Sequence, residues 1–206
     1  MAKAPRPGYA KTRLIPALGA EGAAQLAAKL LGHAVQQARS AGLGPVDLCC
    51  APHSGDALFA PHAASGLQFS DQGDGDLGER MARAFARWLP GHDQALLTGT
   101  DCPALNASVL QQAAAALTTV DAVFVPALDG GYALIGLRGP ALRFVTIFEA
   151  MPWSTPELMA ITRQRLAQAG LRHLELPALP DIDEAADLVH LPPGLASTAS
   201  TAVQRA

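Results

Sequence analysis

The chain alternates short apolar stretches with longer amphipathic or alanine-rich ones, and this order constrains its fold more than any other feature. The short stretches have the length of buried strands, and the longer ones repeat apolar residues at helical spacing. Strands are predicted at 45–51, 67–70, 95–97, 121–128, 132–137 and 172–177, and helices at 21–41, 77–89, 106–117 and 154–170. Strands that alternate with helices predict an α/β fold with a mostly parallel sheet covered on both faces.

One pair of predicted strands breaks the alternation. The stretches 121–128 and 132–137 are joined by Asp129, Gly130 and Gly131, with no helix between them. An Asp-Gly pair between two apolar runs is a strong hairpin signal, so this pair adds an antiparallel strand to the sheet. Because ligands of open α/β sheets bind beyond the carboxyl ends of the strands, the polar clusters that follow the strands are the candidates for a site.

Length and composition indicate one globular domain. The chain has 206 residues, half of them hydrophobic, which is enough to bury a full core. We expect residues 1–190 to form a single domain. Residues 191–206 are rich in Ser, Thr and Ala without an apolar pattern, so we expect them to form a disordered C-terminal tail.

Several protein classes are disfavoured. The net charge of −3 provides no general attraction to nucleic acid or to anionic membranes. No apolar run approaches the roughly 20 residues of a membrane-spanning helix, and no basic and apolar leader precedes the domain. The three cysteines form no disulfide framework, and the six histidines follow no zinc-site pattern. We therefore expect a cytoplasmic protein with no membrane span and no nucleic-acid partner.

The N-terminal stretch 3–14 is rich in cations. It contains Lys3, Arg6, Lys11 and Arg13, and no acidic residue precedes Glu21. Arginine offers a planar fork and lysine a point charge, so a shaped loop of this kind suits a polyphosphate. The alternative is a solvated basic terminus.

A second cluster, at 70–81, contains three glycines in the G-x-G-x-x-G spacing. A dinucleotide site is rejected because Asp74 and Asp76, at the variable positions, would face a pyrophosphate with like charge. Two readings remain. The glycine turn either lets the backbone approach a flat ligand such as a nucleobase, or it is an ordinary loop before a helix.

Asp101 follows the predicted strand at 95–97 directly, between a glycine and Pro103. It is either a turn residue or a ligand, and Asn106 is available to cap the following helix in its place. A carboxylate without a cationic neighbour in the sequence suits a hard cation. Magnesium commonly takes only one or two protein carboxylates and completes its shell with phosphate oxygens and water.

Two further acidic clusters have open roles. Asp129 and the two glycines after it form a hairpin turn, and they are also compatible with close approach of a substrate and with Asp129 as a base or second metal contact. Asp183 belongs to a group of acids that either caps a short helix or completes the cation site.

Six motifs in series resemble those of a bacterial family of GT-A-fold, glycosyltransferase-like proteins, which is similar to nucleotide-diphospho-sugar transferases. In chain order they are KAPRPGYAKTRL, QGDGDLGERM, GTDCPAL, PALDGGYALIGL, WST and DIDEAADL. They run from Lys3 to Leu188 in the family's order and rough spacing. The resemblance implies a three-layer α/β/α sandwich that binds a nucleotide sugar with a divalent cation, Mg²⁺ or Mn²⁺.

The resemblance also implies roles for individual positions. Those positions are Lys11 and Arg13 at the phosphates, Gln72, Leu77 and Gly78 near the nucleobase, Asp101 at the metal, Asp129 and Tyr132 on the acceptor side, and Trp153 and Asp183 at later family positions. Lys3, Gly130 and Gly131 join this set as substrate-binding residues of the same motifs.

The sequence departs from the family in two places. Family members usually carry an apolar strand before the Lys-Ala-Pro loop, whereas only Met1 and Ala2 precede Lys3. We therefore expect the usual first strand to be missing here, and the natural protein to begin upstream of Met1. In DIDEAADL the family's Thr-Pro after the second aspartate is absent, which weakens the role of Asp183.

Three functions are compatible with these features. The first is metal-dependent glycosyl transfer from a nucleotide-diphospho-sugar to a small-molecule acceptor. The second is nucleotidyl transfer from a nucleoside triphosphate to a small phosphorylated acceptor, since the Lys-Thr-Arg-Leu loop also resembles that of guanylyltransferases. The third is a non-catalytic nucleotide-binding module.

Overall fold

A computed structural model describes residues 1–196, in which the chain forms seven β-strands and five α-helices. The strands are β1 (Ala2–Lys3), β2 (Asp47–Ala51), β3 (Gln68–Asp71), β4 (Gln94–Thr98), β5 (Ala122–Pro126), β6 (Tyr132–Arg138) and β7 (His173–Glu175). The helices are α1 (Ile15–Ser40), α2 (Leu77–Trp88), α3 (Ala107–Ala116), α4 (Leu158–Gln168) and α5 (Pro193–Ala196).

The described residues divide into two compact units. The first consists of Met1–Asp71, Gly99–Asn106 and the described residues from Pro180 onward. The second consists of Gln72–Thr98 and Ala107–Leu179. Each unit is therefore assembled from segments that are separated in the sequence.

The first unit contains a parallel sheet in the order β1-β2-β3. Ala2 pairs with Cys50, and Cys50 pairs in turn with Asp71. The expectation that the first strand is missing is wrong in this respect, because Ala2 and Lys3 form a short strand of two residues. β1 ends at Lys3, the first residue of the basic stretch 3–14, so the rest of this stretch leaves directly from a strand end.

α1 is kinked at Gly19, whose backbone is not helical (φ 70°, ψ 165°), so its long part begins close to the predicted start at Glu21. The helix brings two distant segments of the first unit together. Leu18, Leu26 and Leu30 of α1 form one buried cluster with Ile182 and with Leu14, which directly precedes the helix. The apolar side of α1 thus holds the end of the basic loop against the acidic stretch around Ile182.

The first residues of the expected disordered tail, 191–196, are part of the structure of the first unit. Leu191 belongs to the same buried cluster, Leu195 packs against it, and Pro193–Ala196 form α5. The rest of the predicted tail, 197–206, lies outside the described residues.

The second unit contains a sheet in the order β4-β6-β5-β7, which confirms the predicted hairpin. β6 runs antiparallel to both of its neighbours, and β5 is parallel to β7. The hairpin closes where the amide of Ala127 donates to the carbonyl of Gly131 at 3.0 Å. The α/β class and the mostly parallel pairing with one antiparallel strand are as predicted.

Within residues 1–196, the structure contains no helix of the length and hydropathy needed to cross a bilayer.

Candidate functional site

The basic loop turns tightly before α1. The amides of Tyr9 and Ala10 both donate to the carbonyl of Arg6, at 3.0 and 3.2 Å, and Lys11 has a left-handed backbone with φ of 51°. A non-glycine residue in this region costs about 1–2 kcal/mol. The residue that adopts this conformation, Lys11, is also the one whose side chain enters a cluster of charged groups.

The ammonium group of Lys11 lies between two carboxylates. Its Nζ atom is 2.5 Å from Oδ1 of Asp101 and 2.8 Å from Oδ1 of Asp183, and it donates to the carbonyl of Ile182 at 2.5 Å. An ammonium group has three hydrogens to donate, so these three oxygens use all of them. The Lys11 side chain is only 7% exposed, whereas those of Asp101 and Asp183 are 48% and 37% exposed.

The segments that carry the two carboxylates are fixed by backbone contacts. The amide of Ile182 donates to the carbonyl of Asp101 at 2.9 Å, and His33 of α1 contacts the carbonyl of Pro103 at 2.9 Å. The amides of Asp183 and Glu184 donate to the carboxylate of Asp187. Asp187 therefore shapes the turn that presents Asp183.

Arg13 adds a second, more exposed cation. Its guanidinium group is 3.7 Å from Oδ2 of Asp183, and its side chain is 60% exposed. Lys3, by contrast, lies in β1 and makes no ion pair among residues 1–196. Of the five predicted site residues in the first unit, the structure brings together four.

The charge of Lys11 is well supported. Burial alone would lower the pKa of its ammonium group, but the negative charges of Asp101 and Asp183 and the hydrogen bonds to them outweigh this effect, and the pKa is raised. Lys11 therefore stays protonated at neutral pH. Asp101 has no cationic neighbour in the sequence, but in the fold a lysine 90 residues earlier in the chain supplies one.

The oxygens around Lys11 fit a hard cation. They come from two carboxylates and one carbonyl, which are the ligand types that Mg²⁺ and Mn²⁺ prefer, and the ammonium group stands where such a cation would be attracted. In the part of the chain that the structure describes, no group of three or more His, Cys, Asp or Glu side chains is arranged to hold a metal. The set matches Mg²⁺, which commonly takes one or two protein carboxylates and leaves its other positions to phosphate and water.

In the second unit, the glycine loop 72–76 is held by arginines of α2. Arg83 donates to the carbonyls of Gln72 and Asp74, and Arg80 donates to that of Gly75 at 3.0 Å. Asp76 and Glu79 form a capping box at the start of α2. The side chain of Gln72 is buried, and Leu77 is 43% exposed.

Gly78 and Trp153 contact each other within the second unit. A Cβ atom on Gly78 would lie 2.5 Å from Cζ2 of Trp153 and would also meet the carbonyl oxygen of Phe148. Real Cβ atoms do not approach other atoms so closely, so glycine is required where the indole ring covers the first turn of α2. This packing gives Gly78 a structural role, whether or not a nucleobase lies nearby.

Trp153 lies in an irregular segment, 149–157, which we call the Trp153 segment. Ala150 and Ser154 have left-handed backbones, with φ of 47° and 63°. Arg165 of α4 donates to the carbonyls of Thr146, Glu149 and Ala150. The indole nitrogen of Trp153 is buried with no hydrogen-bond partner among residues 1–196.

The predicted start of the helix 154–170 is wrong. α4 begins at Leu158, after Glu157, and no side chain caps its N-terminus. The Ser-Thr-Pro-Glu pattern has the spacing of a capping box, but the left-handed backbone at Ser154 prevents it from acting as the cap.

The Asp-Gly-Gly turn packs on the end of the Trp153 segment. A Cβ atom on Gly130 would lie 2.5 Å from Cα of Pro156, and the amide of Met159 donates to the carbonyl of Gly130 at 2.9 Å. Asp129 is exposed, and its Oδ1 accepts from the amide of Gly131 at 2.9 Å. One of its oxygens thus shapes the turn.

Tyr132 begins β6 with its phenol group buried. The hydroxyl has no hydrogen-bond partner among residues 1–196, and burial raises the pKa of Tyr132. Its ring packs edge-on against Phe124, with 5.3 Å between the centroids. Tyr132 and Trp153 therefore each bury a polar atom for which the described residues supply no partner.

Sequence reasoning missed several residues that position these groups. Ile182 contributes its carbonyl to Lys11, His33 holds the turn after Asp101, and Arg165 fixes the Trp153 segment. Arg6, assigned to the phosphate cluster, instead pairs with the buried carboxylate of Asp56 at 2.5 Å. The motifs contain no signal for these contacts, because each joins segments that are far apart in the sequence.

Several solved structures have the same fold, and one of them is similar over nearly the whole chain. A provisionally assigned nucleotide-diphospho-sugar transferase from Desulfovibrio desulfuricans G20 matches with a TM-score of 0.85 and 28% identity, over 99% of this chain and 94% of that one. CMP:2-keto-3-deoxy-manno-octonic acid synthetase, solved with CTP, matches with a TM-score of 0.53 and 14% identity over 86% and 88% of the two chains. Rv0371c from Mycobacterium tuberculosis H37Rv, solved with manganese, matches with a TM-score of 0.51 and 20% identity over 79% and 84%.

These structures assign the fold to the nucleotide-diphospho-sugar transferase type, as the motif series implies. None of the curated proteins matches the chain. The profile of a bacterial family matches residues 34–155, which is more than half of the sequence. The chain therefore belongs to the family described as an uncharacterized protein conserved in bacteria (DUF2064).

Proposed function

We propose that the protein is a metal-dependent transferase that transfers a sugar from a nucleotide-diphospho-sugar to a small-molecule acceptor. The observation that carries this proposal is the cluster in which Lys11 bridges Asp101 and Asp183, with Arg13 at its exposed side. Cations beside carboxylates suit a diphosphate that arrives with a divalent metal ion. The similar structures include a provisionally assigned nucleotide-diphospho-sugar transferase and a synthetase solved with CTP, and this supports a nucleotide-using transferase in general.

In this proposal the residues of the first unit act on the leaving diphosphate. Lys11 and Arg13 bind its oxygens, and Asp101 and Asp183 hold Mg²⁺ or Mn²⁺. The bound metal supplies charge neutralisation as negative charge builds on the leaving group. Asp129 is assigned to orient or deprotonate the acceptor hydroxyl.

The charges of the second unit favour glycosyl transfer over nucleotidyl transfer to a phosphorylated acceptor. Residues 72–98 and 107–179 include no lysine. Seven of the arginines there contact oxygen atoms of the unit itself, and these are Arg80, Arg83, Arg138, Arg143, Arg163, Arg165 and Arg172. Because these cations are already engaged, the acceptor side suits a neutral hydroxyl compound better than a phosphate.

Ligand-dependent thermal stability tests the proposal. A ligand that binds only the native state raises the melting temperature, so nucleoside triphosphates and nucleotide sugars are compared in the presence of Mg²⁺. We expect nucleotide sugars to stabilise the protein and mass spectrometry to detect a glycosylated product. Stabilisation by triphosphates alone would instead indicate nucleotidyl transfer. Nucleotide binding without any transfer product would indicate a binding module.

The Asp101→Asn variant tests the metal site. Loss of the carboxylate charge is expected to remove the Mg²⁺ dependence of nucleotide-sugar binding, measured by isothermal titration calorimetry. Asp129→Asn is the control, because it alters the acceptor side and should bind the donor as the wild type does. Unchanged Mg²⁺ dependence in Asp101→Asn would overturn the assignment of Asp101 as a metal ligand.

A further inference from the structure

The ammonium group of Lys11 occupies the centre of the oxygen cluster that is assigned to the metal. We propose that Lys11 excludes the divalent cation from Asp101 and Asp183 in the ligand-free protein, so that the cation enters only together with the donor's diphosphate. This inference rests on the proposed function. It adds an order of binding, in which the donor arrives as its metal complex.

The first argument is the set of oxygens that Lys11 uses. Its three hydrogen bonds reach one oxygen of Asp101, one of Asp183 and the carbonyl of Ile182. Two of these oxygens belong to the residues assigned to the metal, and the third is the backbone carbonyl of Ile182, which directly precedes Asp183. A metal ion that bound the same oxygens would have to displace the ammonium group.

The second argument is charge. Two carboxylates already share one full positive charge at 2.5 and 2.8 Å, and Arg13 lies 3.7 Å from Asp183. A divalent cation that entered beside Lys11 would meet a like charge at close range, and the repulsion is screened only in part because the Lys11 side chain is just 7% exposed. Lys11 and Arg13 thus offset the charges of Asp101 and Asp183, so this pair of carboxylates offers the metal little net negative charge in the free protein.

The third argument is what the diphosphate changes. Its negative oxygens give the Lys11 ammonium group new acceptors, and the lysine stem has enough rotatable bonds to reach them while its backbone stays in place. Once Lys11 moves to the phosphate, Asp101 and Asp183 lose their bound cation and attract the metal that the phosphate carries. Metal and diphosphate therefore support each other's binding.

Manganese binding to the free protein tests this order. Free Mn²⁺ is followed by electron paramagnetic resonance in titrations of the wild type, Lys11→Met, Lys29→Met and the double variant Lys11→Met/Asp101→Asn. We expect Lys11→Met to bind Mn²⁺ at least tenfold more tightly than the wild type, because the competing ammonium group is gone. Lys29→Met removes the same charge from α1 and should leave the affinity within about twofold of the wild type.

Two outcomes of this titration would overturn the proposal. The first is equal Mn²⁺ affinity in the wild type and Lys11→Met. The second is a gain that persists in Lys11→Met/Asp101→Asn, since the new site would then not use Asp101.

A second measurement on the wild type avoids any folding defect of the variants. The chain has only three lysines, at positions 3, 11 and 29, so selective ¹⁵N labelling follows the ammonium group of Lys11 by NMR. We expect millimolar Mg²⁺ alone to leave this signal unchanged and Mg²⁺ with UDP, GDP or CDP to shift it. A shift caused by Mg²⁺ alone would overturn the exclusion.

The two measurements separate this inference from the proposed function. If no nucleotide moves the Lys11 signal while Lys11→Met still gains Mn²⁺ affinity, the exclusion of the metal stands and the proposed function fails. If nucleotides shift the signal but Lys11→Met gains no affinity, nucleotide use stands and the exclusion fails.

Discussion

At the scale of single residues, Gly78 supports the Trp153 ring on the first turn of α2. The absence of a side chain lets the indole ring and the carbonyl of Phe148 approach the helix closely. We predict that Gly78→Ala destabilises the protein by about 1–3 kcal/mol, because the added methyl group overpacks a site bounded by backbone and a rigid ring. Urea unfolding followed by circular dichroism measures the effect.

Gly91→Ala is the matched control for Gly78→Ala. A Cβ atom there would meet no atom within 4 Å, so the change in free energy of unfolding should stay within about 0.5 kcal/mol. Equal effects of the two substitutions on the free energy of unfolding would show that the close contact between Gly78 and Trp153 is not the cause of the destabilisation.

Also at the residue scale, the sequence indicates which residue types matter but not how they pair. The motifs single out Lys11, Asp101 and Asp183, and the structure places all three in one cluster. The sequence does not predict the direct contact of lysine with carboxylate, because it spans 172 positions between Lys11 and Asp183 and depends on the burial of Leu14 against Ile182. Local spacing carries no information about such a contact.

At the scale of elements, the Trp153 segment depends on one side chain of α4. Arg165 donates to three carbonyls around its start, and the left-handed residues Ala150 and Ser154 keep it irregular. We predict that Arg165→Met lowers the free energy of unfolding by about 1–3 kcal/mol, because the carbonyls lose charged hydrogen bonds. The amides of residues 149–154 should also exchange their hydrogens faster, which NMR detects.

Arg163→Met is the control on the same helix. Arg163 forms a two-point ion pair with Glu175, and its loss should leave the exchange of residues 149–154 unchanged. Similar exchange profiles for the two variants would mean that Arg165 does not hold the Trp153 segment in particular.

Also at the element scale, the sequence predicts elements well where periodicity is strong. The hairpin at Asp129 and the helix from Leu77 follow their patterns closely. The prediction fails for α4 because the capping pattern at Ser154 is overridden by a backbone that the arginine contacts stabilise. It also fails for β1, because two residues are too few to show any period and gain strand structure only by pairing with β2.

At the scale of the whole molecule, Asp121 links stability to pH. It accepts from the backbone amide of Arg172, and this hydrogen bond, together with those from Arg143 and the nearby charges, lowers the pKa of the Asp121 carboxyl group below 3.8. A lowered folded-state pKa adds stability that is complete above the unfolded value and is lost as pH falls through the folded value. We predict that Asp121→Asn lowers the melting temperature at pH 7 and makes it fall less steeply below about pH 4. An unchanged acid dependence in calorimetry would contradict this role.

A second prediction at this scale concerns cooperativity. The single domain expected over residues 1–190 remains a prediction, and the two compact units offer a way to test it. Gly99–Asn106 belongs to the first unit but is flanked on both sides by segments of the second. Because the chain passes between the units repeatedly, we expect neither to keep its structure when the other unfolds.

The two units carry separate natural probes. All three cysteines lie in the first unit, and both tryptophans, Trp88 and Trp153, lie in the second. Burial raises the pKa of Cys50 to about 12 and that of Cys102 to about 11, so these thiols react slowly in the folded state. Thiol labelling and tryptophan fluorescence should therefore give urea transitions with the same midpoint. Separate midpoints would show instead that the units unfold independently and that the chain contains two domains.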